Sequence, residues 1–392
     1  MGCHWSPLPG LSRRTLSVSQ RPVRVLGLET SCDDTAAAVV DGNGQVLGEA
    51  LAGQQDAHEP NGGIVPTLAL QKHTQNTPFV VKEALERSGL SIHDIDAIAV
   101  TRGPGIGSSL SVGLNAAKTL AAVCGLLISG GHTLLVIVHD VNEYTQLGTT
   151  TDDSVGDAFD KVARGLRLPW KPGRGGGAGA ALEAVAVHGD PQQLPFQLTV
   201  PLSTNQQASS LNFSFSGLKT DVFRRINDEA TRAASISDTV DPAKPPRSTT
   251  ATTKVDPYTQ RFSTTHPPLG AQFTANLAAA FQEAVLKHIL RRLKLTMAHC
   301  NDQRVQPTAL VVSGGVASNQ YLRSNLTQWM ADHHQLQVLC PPPRLCTDNG
   351  VMVAWAGIER MAKGYLDDYG IGIVPRWPLE ALRHWPKVPG HD

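Results

Sequence analysis

The stretch Leu126-Leu-Ile-Ser-Gly-Gly-His-Thr-Leu-Leu-Val-Ile-Val138 joins two apolar runs through a short polar turn. The pattern predicts a strand, a tight turn and a second strand. The adjacent Gly130 and Gly131 permit positive φ and lack a Cβ atom, so backbone amides can approach a phosphate closely, while Ser129 and His132 add side-chain donors. A bare Ser-Gly-Gly turn is nevertheless more often an ordinary hairpin. Other parts of the sequence are needed to distinguish a phosphate-binding turn from an ordinary hairpin.

A second copy of this pattern lies upstream. Residues 24–41 again run from an apolar strand through a small polar turn into an apolar strand, and residues 45–51 offer a third strand. The corresponding third strand after the central turn lies at residues 144–148. Two sheets of one topology, each presenting a polar turn to a shared cleft, predict a duplicated α/β nucleotide-binding fold.

The composition excludes several classes of protein. Lys and Arg together number 34, as do Asp and Glu, so the net charge is zero and any RNA contact has to come from local patches. The six cysteines form no C-x-x-C pair, which fits reduced thiols and gives no zinc signature. No apolar run approaches the ~20 residues of a membrane-spanning helix, so we expect a soluble protein with no membrane partner.

The N-terminal residues 1–22 have the composition of a targeting segment. No Asp or Glu precedes Glu29, whereas arginines and serines are interspersed. This composition is typical of a mitochondrial transit peptide, which we expect to be disordered, and it predicts a mitochondrial matrix protein. A basic tail without targeting meaning is the alternative.

The remaining chain divides by pattern into five parts. Residues 23–125 predict the N-terminal lobe, and residues 126–227 the first part of the C-terminal lobe. Residues 228–268 are rich in Ser, Thr and Pro with almost no apolar periodicity, which predicts a disordered insertion. Residues 269–365 then complete the C-terminal lobe, and residues 366–392 form a tail.

Two further glycine turns precede predicted helices. The loop from Gly103 to Gly105 opens an alanine-rich helix that ends near Cys124, an arrangement that suits either an anion or the close approach of another backbone. It lacks the Walker lysine, which excludes a P-loop NTPase. Ser318 and Asn319 follow the other glycine turn, placed to cap a helix or to touch a ligand.

Acidic residues cluster after the central turn. Asp152 or Asp153 is a plausible N-cap for the helix that follows. Asp157 and Asp160 are three residues apart and therefore share a helix face, where one of them can form an ion pair with Lys161 or Arg164.

Eight short motifs stand out when the chain is taken in order. They are Glu29-Thr-Ser-Cys-Asp-Asp-Thr35, Gly62-Gly-Ile-Val-Pro66, Gly103-Pro-Gly105, Ser129-Gly-Gly-His-Thr133, Asp157-Ala-Phe-Asp-Lys161, Phe213-Ser-Phe-Ser-Gly-Leu-Lys-Thr220, Ser313-Gly-Gly-Val-Ala-Ser-Asn319 and Thr347-Asp-Asn-Gly350. Each is weak alone, but together they resemble the universal tRNA threonylcarbamoyltransferases, over residues 25–363 without the insertion. The resemblance implies a duplicated actin/Hsp70/hexokinase-like (ribonuclease H-like) fold, with two lobes around a nucleotide cleft. With its presequence, the chain resembles the mitochondrial branch.

The resemblance also implies an activity and its residues. The family transfers the threonylcarbamoyl group from threonylcarbamoyl-AMP to N6 of the tRNA adenosine at position 37, beside the anticodon, and releases AMP. Asp33 and Asp34 match the acidic pair at the first turn, where a carboxylate orients or deprotonates the attacking amine. The residues that match or adjoin the substrate contacts are Leu127, Ile128, Ser129, Gly130, Gly131, Asp160, Gly179, Glu183, Ser318 and Asn319.

One part of the family pattern is absent. In the family, a strand and a helix with an H-x-x-x-H pair precede the Ser-Gly-Gly loop, and those two imidazoles join the aspartate matching Asp348 in holding one divalent metal ion, iron or zinc. Here residues 121–125 run directly into Leu126, and no H-x-x-x-H occurs in the chain. The resemblance therefore implies a metal ligand, Asp348, without its histidine partners, in a fold that lacks one strand-helix unit.

Several explanations stay open at this point. A segment skipped from this version of the chain and a degenerate paralogue that binds without catalysis both account for the missing pair. A sugar kinase or ATPase of the same fold, and a non-catalytic scaffold, are the competing functions. Peptide hydrolysis is discounted because it would depend on the histidine pair. The sequence leaves open whether the chain forms a homodimer.

Overall fold

The computed structural model describes residues 21–124, 134–140, 143–170, 177–203, 206–238, 269–367 and 371–377. The described chain forms two compact units. Unit 1 contains residues 21–124, 136–140, 143–146, 347–367 and 371–377, and unit 2 contains the rest. None of the described helices combines the length and the apolar character needed to cross a membrane.

Unit 1 is built on a four-stranded sheet. The strands β1 (Arg24–Glu29), β2 (Thr35–Asp41), β3 (Val46–Ala52) and β4 (Ala97–Val100) lie in the order β3-β2-β1-β4. The first three form an antiparallel meander, and β4 pairs parallel to β1. This confirms the three strands predicted over residues 24–51. All of β2 is buried, as expected for a strand covered on both faces.

Four helices accompany this sheet: α1 (Gln55–His58), α2 (Pro66–Ser88), α3 (Gly107–Cys124) and α9 (Gly350–Ala362). Helix α2 begins with Pro66 at its first turn and ends at Gly89, whose φ of 67° is left-handed, which is the usual placement of these two residues at helix ends. Leu26, Val39 and Ile98 from the sheet form the core with residues of α2 and α3.

Helix α9 corrects one predicted boundary. Residues 269–365 were expected to complete the C-terminal lobe, yet α9 packs on β1, β2 and β4 of unit 1. The reason is a set of close glycine contacts. A Cβ atom on Gly27 of β1 would lie 2.2 Å from the carbonyl oxygen of Gly350, and one on Gly357 would lie 2.7 Å from the Cβ of Ala99. Only glycine at these points lets the helix reach the sheet.

Unit 2 is mainly helical. It contains α4 (Val155–Gly165), α5 (Ala178–Ala186), α6 (Ser216–Asp238), α7 (Ala271–Asp302) and α8 (Gln320–His334), together with the parallel pair β7 (Ala309–Val311) and β8 (Gln337–Leu339). Its core includes Phe159 and Phe281, whose rings meet edge to face at 5.1 Å, and the fully buried Phe215.

Two strands follow the predicted central turn. They are β5 (Leu134–Asp140) and β6 (Glu143–Thr149), which pair with each other and confirm the strand predicted at residues 144–148. The turn itself, from residue 126 to residue 133, lies outside the described residues. The structure thus establishes an α/β protein, while the duplication and the missing strand-helix unit stay predictions.

Two local predictions need correction. Helix α6 extends to Asp238, so the first part of the predicted insertion at residues 228–268 is helical, and residues 239–268 lie outside the described chain. The N-cap of α4 is Ser154, whose hydroxyl accepts from the amide of Asp157, and not Asp152 or Asp153.

The two displaced aspartates stabilise other parts of unit 2. Asp152 accepts hydrogen bonds from the amides of Phe215 and Ser216, at 2.8 and 3.2 Å, and so supplies the N-terminus of α6 with acceptors. Asp153 forms ion pairs with Lys161 and the buried Lys219. Both acids serve the packing of helices, which explains why neither caps α4.

His288 of α7 is buried between two aromatic rings. It meets Phe213 and Phe215 edge-on, at centroid distances of 5.8 and 5.3 Å, and its Nε2 atom accepts a hydrogen bond from the amide of Ser214. Burial, reinforced by the charge of Arg292, lowers the pKa of His288 to about 4. The imidazole is therefore neutral in the folded protein at physiological pH.

We expect this histidine to make the protein acid-sensitive. A histidine in the unfolded chain has a pKa of about 6.5. As the pH falls from about 6.5 to 4, the unfolded chain therefore binds a proton at this residue and the folded chain does not. Above pH ~6.5 both states hold a neutral imidazole, and the free energy of unfolding has its full value. Below this pH the free energy of unfolding decreases, by on the order of 3 kcal/mol in all. Urea unfolding across this range should show the loss. His288→Phe should flatten the profile by about one proton, and an unchanged slope in that variant would contradict the assignment.

Candidate functional site

The first part of the candidate site is the acidic turn between β1 and β2, which we define as residues 29–34. Glu29, at the end of β1, is only 1% exposed. Its carboxylate accepts hydrogen bonds from the amide of Ser31, at 2.6 Å, and from the hydroxyl of Thr101 at the end of β4. Burial raises the pKa of Glu29. Glu29 therefore braces the turn, and Cys32, Asp33 and Asp34 follow it.

Asp348 approaches the acidic turn from the start of α9. Asn349 caps that helix by accepting from the amide of Met352 at 2.9 Å, and Gly350 lies against the backbone of β2, where a Cβ atom would come within 2.6 Å of Ala37. This contact fixes Asp348 beside the turn. One ligand atom each from Cys32, Asp33 and Asp348 lie within 4.8 Å of one another.

The electrostatics of this cluster favour a cation. Burial raises the pKa of Asp348 well above its usual range, and the negative charges of Glu29, Asp33 and Asp34 raise it further. Burial and the same acidic neighbourhood also raise the pKa of the Cys32 thiol. A divalent cation would relieve the repulsion between these carboxylates, so the donor set suits such an ion chemically. The residues that could hold it are Cys32, Asp33 and Asp348.

Two buried histidines were missed in the sequence, and one of them, His73, supports the acidic turn. His73 of α2 bonds the hydroxyl of Thr35 through Nδ1, at 2.8 Å, and the carbonyl of Cys32 through Nε2, at 3.1 Å. His58 accepts from the amide of Val65 and bonds Gln54. Burial lowers the pKa of both imidazoles. A signal was available, because His73 interrupts the buried stripe of α2 with a polar residue.

The glycine loop after β4 is covered by the chain itself. The amide of Val374 donates to the carbonyl of Arg102 at 2.7 Å, and the amide of Gly105 donates to that of Pro375 at 3.1 Å. A Cβ atom on Gly103 would lie within 1.9 Å of the carbonyl oxygen of Val374. Of the two predicted uses of this loop, the structure confirms close backbone approach. The loop in turn holds the acidic turn, because the amide of Ile106 donates to the carbonyl of Ser31.

The second part of the candidate site lies in unit 2, at the start of α5. Gly177 precedes this helix with a φ of 101°, a left-handed conformation that favours glycine. The amide of Gly179 donates to the carboxylate of Asp160 at 3.0 Å, so these two predicted residues meet. Asp160 is exposed, whereas Asp157 on the same face of α4 forms the ion pair with Lys161 predicted for one of the two.

Glu183 and the Ser313-Gly-Gly turn join this group. The carboxylate of Glu183 accepts from the amide of Gln320 at 2.7 Å. Asn319 is 5% exposed, caps α8 by accepting from the amide of Leu322 and donates to Gln282. The capping role predicted for it is thus confirmed, while a ligand contact stays a prediction. The Ser318 hydroxyl donates to the carbonyl of Gly315 at 2.6 Å.

The structure therefore brings the predicted residues together in two groups. Asp33, Asp34 and Asp348 lie in unit 1, with Cys32 as a member that the sequence did not single out. Asp160, Gly179, Glu183, Ser318 and Asn319 lie in unit 2. Residues 127–131, predicted to contact the nucleotide, lie outside the described residues.

Comparison with known proteins identifies the family. The sequence model of tRNA N6-adenosine threonylcarbamoyltransferase matches residues 45–126 and 122–355. The chain belongs to this family. A tRNA N6-adenosine threonylcarbamoyltransferase of Bartonella bacilliformis is 37% identical, over 91% of this chain and 96% of the relative. The mitochondrial relative of Xenopus tropicalis is 38% identical, over 88% of this chain and 84% of the relative.

A probable mitochondrial tRNA N6-adenosine threonylcarbamoyltransferase of Arabidopsis thaliana is 36% identical, over 91% of this chain and 74% of the relative. The threonylcarbamoyltransferase match breaks into its two parts at residues 122–126, the junction where the sequence pattern predicts that the H-x-x-x-H segment is missing. The alignment with the Bartonella relative is 397 positions long, although it covers only 91% of this 392-residue chain, so it contains gaps in this chain.

Proposed function

We propose that this protein transfers the threonylcarbamoyl group of threonylcarbamoyl-AMP to N6 of adenosine 37 in tRNA. The exocyclic amine attacks the carbamoyl carbon, a new N–C bond forms, the C–O bond to the phosphate breaks, and AMP leaves. N6 gives up one proton in the exchange. The observation that carries this proposal is membership of the family over most of the chain. The grouping of Cys32, Asp33 and Asp348 and the hydrogen bond from Gly179 to Asp160 support it.

The two groups of residues suit the two halves of the reaction. In unit 2, Asp160 and Glu183 present carboxylates suited to ribose hydroxyls, beside the glycine turns at Gly177 and Gly314. In unit 1, Asp33 and Asp34 follow a braced strand end, and a carboxylate there orients the amine or takes its proton. Because the exocyclic amine is a poor nucleophile, positioning supplies most of the acceleration.

A divalent metal ion, iron or zinc, fits the acidic turn. When bound, such an ion supplies Lewis acidity that stabilises charge on the carbamoyl oxygen. Asp348 and Asp33 would hold it, and Glu29 keeps the turn in place through Ser31. We propose the duplicated actin/Hsp70/hexokinase-like fold for the whole chain and the mitochondrial matrix as its location, because both relatives from eukaryotes carry the mitochondrial label.

The test is formation of the modified nucleoside. Purified protein is incubated with threonylcarbamoyl-AMP and unmodified tRNA, and the digested tRNA is analysed by liquid chromatography and mass spectrometry. We expect N6-threonylcarbamoyladenosine and an equal amount of AMP. Hydrolysis of ATP that a sugar stimulates, without this product, would favour the kinase alternative. Binding of AMP with no turnover of either kind would favour a non-catalytic protein.

Asp160→Asn should weaken AMP binding about 10-fold. The carboxylate already accepts from the Gly179 amide, and a charged acceptor for a ribose hydroxyl contributes about 1.5 kcal/mol more than an amide oxygen. Isothermal titration calorimetry with AMP measures the change. Asp157→Asn is the matched control, since Asp157 lies one turn away on the same face and pairs with Lys161. Equal affinities of the two variants for AMP would remove Asp160 from the nucleotide site.

A further inference from the structure

We propose that Cys32 is a metal ligand in this chain, and that its thiolate, with Asp33 and Asp348, holds the divalent ion without the absent histidine pair. This inference rests on the proposed function only for the expectation that a metal binds. It adds to Asp348 two ligands, Cys32 and Asp33, that the family pattern does not name.

Geometry places three donors of suitable chemistry in one group. The Sγ atom of Cys32 and one oxygen each of Asp33 and Asp348 lie within 4.8 Å of one another. Ligand atoms around a four-coordinate zinc ion lie roughly 3.3–3.8 Å apart, given its bond lengths to sulfur and oxygen. Small side-chain rotations would therefore close the three donors around one ion. It is the only such group among the residues that the structure describes.

Two described histidines near the turn, His73 and His58, already use both ring nitrogens in hydrogen bonds. The carbonyl of Cys32 can only accept, so Nε2 of His73 carries the proton and its Nδ1 accepts from the Thr35 hydroxyl. His58 likewise accepts from the Val65 amide and donates to Gln54. Neither imidazole has a nitrogen left for a metal. The two bonds of His73 also hold the turn in place, because one reaches the carbonyl of Cys32 and the other the hydroxyl of Thr35, on the two sides of Asp33 and Asp34.

Binding of the ion to Cys32 replaces the thiol proton. The S–H bond of Cys32 breaks, the sulfur binds the ion, and the proton goes to solvent. The carboxylates of Asp33 and Asp348 beside the sulfur favour a divalent cation at this position. A thiolate also makes the site prefer zinc, cobalt or cadmium over magnesium or manganese.

Cobalt(II) titration tests the assignment, because a thiolate bound to cobalt gives a charge-transfer band in the near ultraviolet. The full chain should show this band with one equivalent of cobalt. Cys32→Ser should lose the band and weaken cobalt binding by at least about 100-fold, since even outer partners of a metal site contribute roughly 10- to 100-fold. Cys340→Ser, a half-buried free thiol in unit 2, is the control and should keep both. Circular dichroism verifies that each variant is folded.

The outcomes separate this inference from the proposed function. A band that survives in Cys32→Ser, or tight cobalt binding without any band in the full chain, overturns the assignment of Cys32, and so does failure of cobalt to bind. Transfer to tRNA is measured in parallel. If the full chain shows the band but modifies no tRNA, the ligand assignment stands and the proposed function is wrong. If it modifies tRNA without showing the band, the proposed function stands and the ligand assignment is wrong.

Discussion

Asp348→Asn is expected to lower threonylcarbamoyl transfer by about 10³-fold while making the metal-free protein more stable. α9 places this carboxylate in the acidic group, and under the proposed function its loss would remove a ligand of the cation that would stabilise negative charge on the carbamoyl oxygen. Without a metal, the negative charge of Asp348 destabilises the fold. Burial and the acids Glu29, Asp33 and Asp34 raise the pKa of this carboxyl group for the same reason. A neutral amide of the same size relieves that repulsion, so the metal-free variant should unfold at a higher urea concentration than the unchanged protein.

The two effects have opposite signs, which distinguishes a functional acid from a structural one. Transfer is measured on tRNA under saturating threonylcarbamoyl-AMP, and stability by urea unfolding in the presence of a chelator. Asp41→Asn is the matched control in the same unit. Asp41 accepts from the amides of Asn43 and Gln45, both at 2.9 Å, and an amide oxygen can replace it. A variant of Asp348 that loses stability, or that transfers at the rate of the unchanged protein, would contradict its placement in the site.

Local patterns predicted the elements that carry the acidic turn. The strands over residues 24–51 alternate with short polar turns, and these turns set the strand ends without tertiary help. The position of Asp33 and Asp34 at a strand end followed directly from that pattern. These features depend on residues close in the sequence, which explains why one chain was enough to find them.

Features that depend on distant partners were missed or left open. A helix with the composition of α9 could cover either core, and its contact with β1 depends on the pairing of Gly27 with Gly350. An isolated glycine inside a strand signals close backbone approach, but it does not say which segment approaches. The sequence likewise did not say which segment approaches the glycine loop at Gly103, and the structure shows that residues 371–377 do. Asp152 and Asp153 were the two candidates for a helix cap, and the ion pair of Asp153 with Lys219 was missed because it joins residues far apart in the sequence.

Gly27→Ala should destabilise unit 1 by about 3–5 kcal/mol, because the new methyl group meets backbone that cannot give way. Its Cβ atom would lie 2.2 Å from the carbonyl oxygen of Gly350 and 2.5 Å from the amide nitrogen of Ala354. Both atoms belong to the first turns of α9, whose hydrogen bonds tie them together. The helix has to move away from β1, and Asp348, two residues before Gly350, has to move with it.

The expected result is therefore a joint loss of stability and of the metal site. Urea unfolding measures the first, and cobalt binding at a temperature where the variant is still folded measures the second. Gly217→Ala is the control, since a Cβ atom there meets nothing within 4 Å and alanine favours the helix α6. It should leave stability unchanged or raise it by about 0.5–1 kcal/mol. Should Gly27→Ala unfold like the unchanged protein, α9 does not rest on β1 and Asp348 loses the contact that positions it.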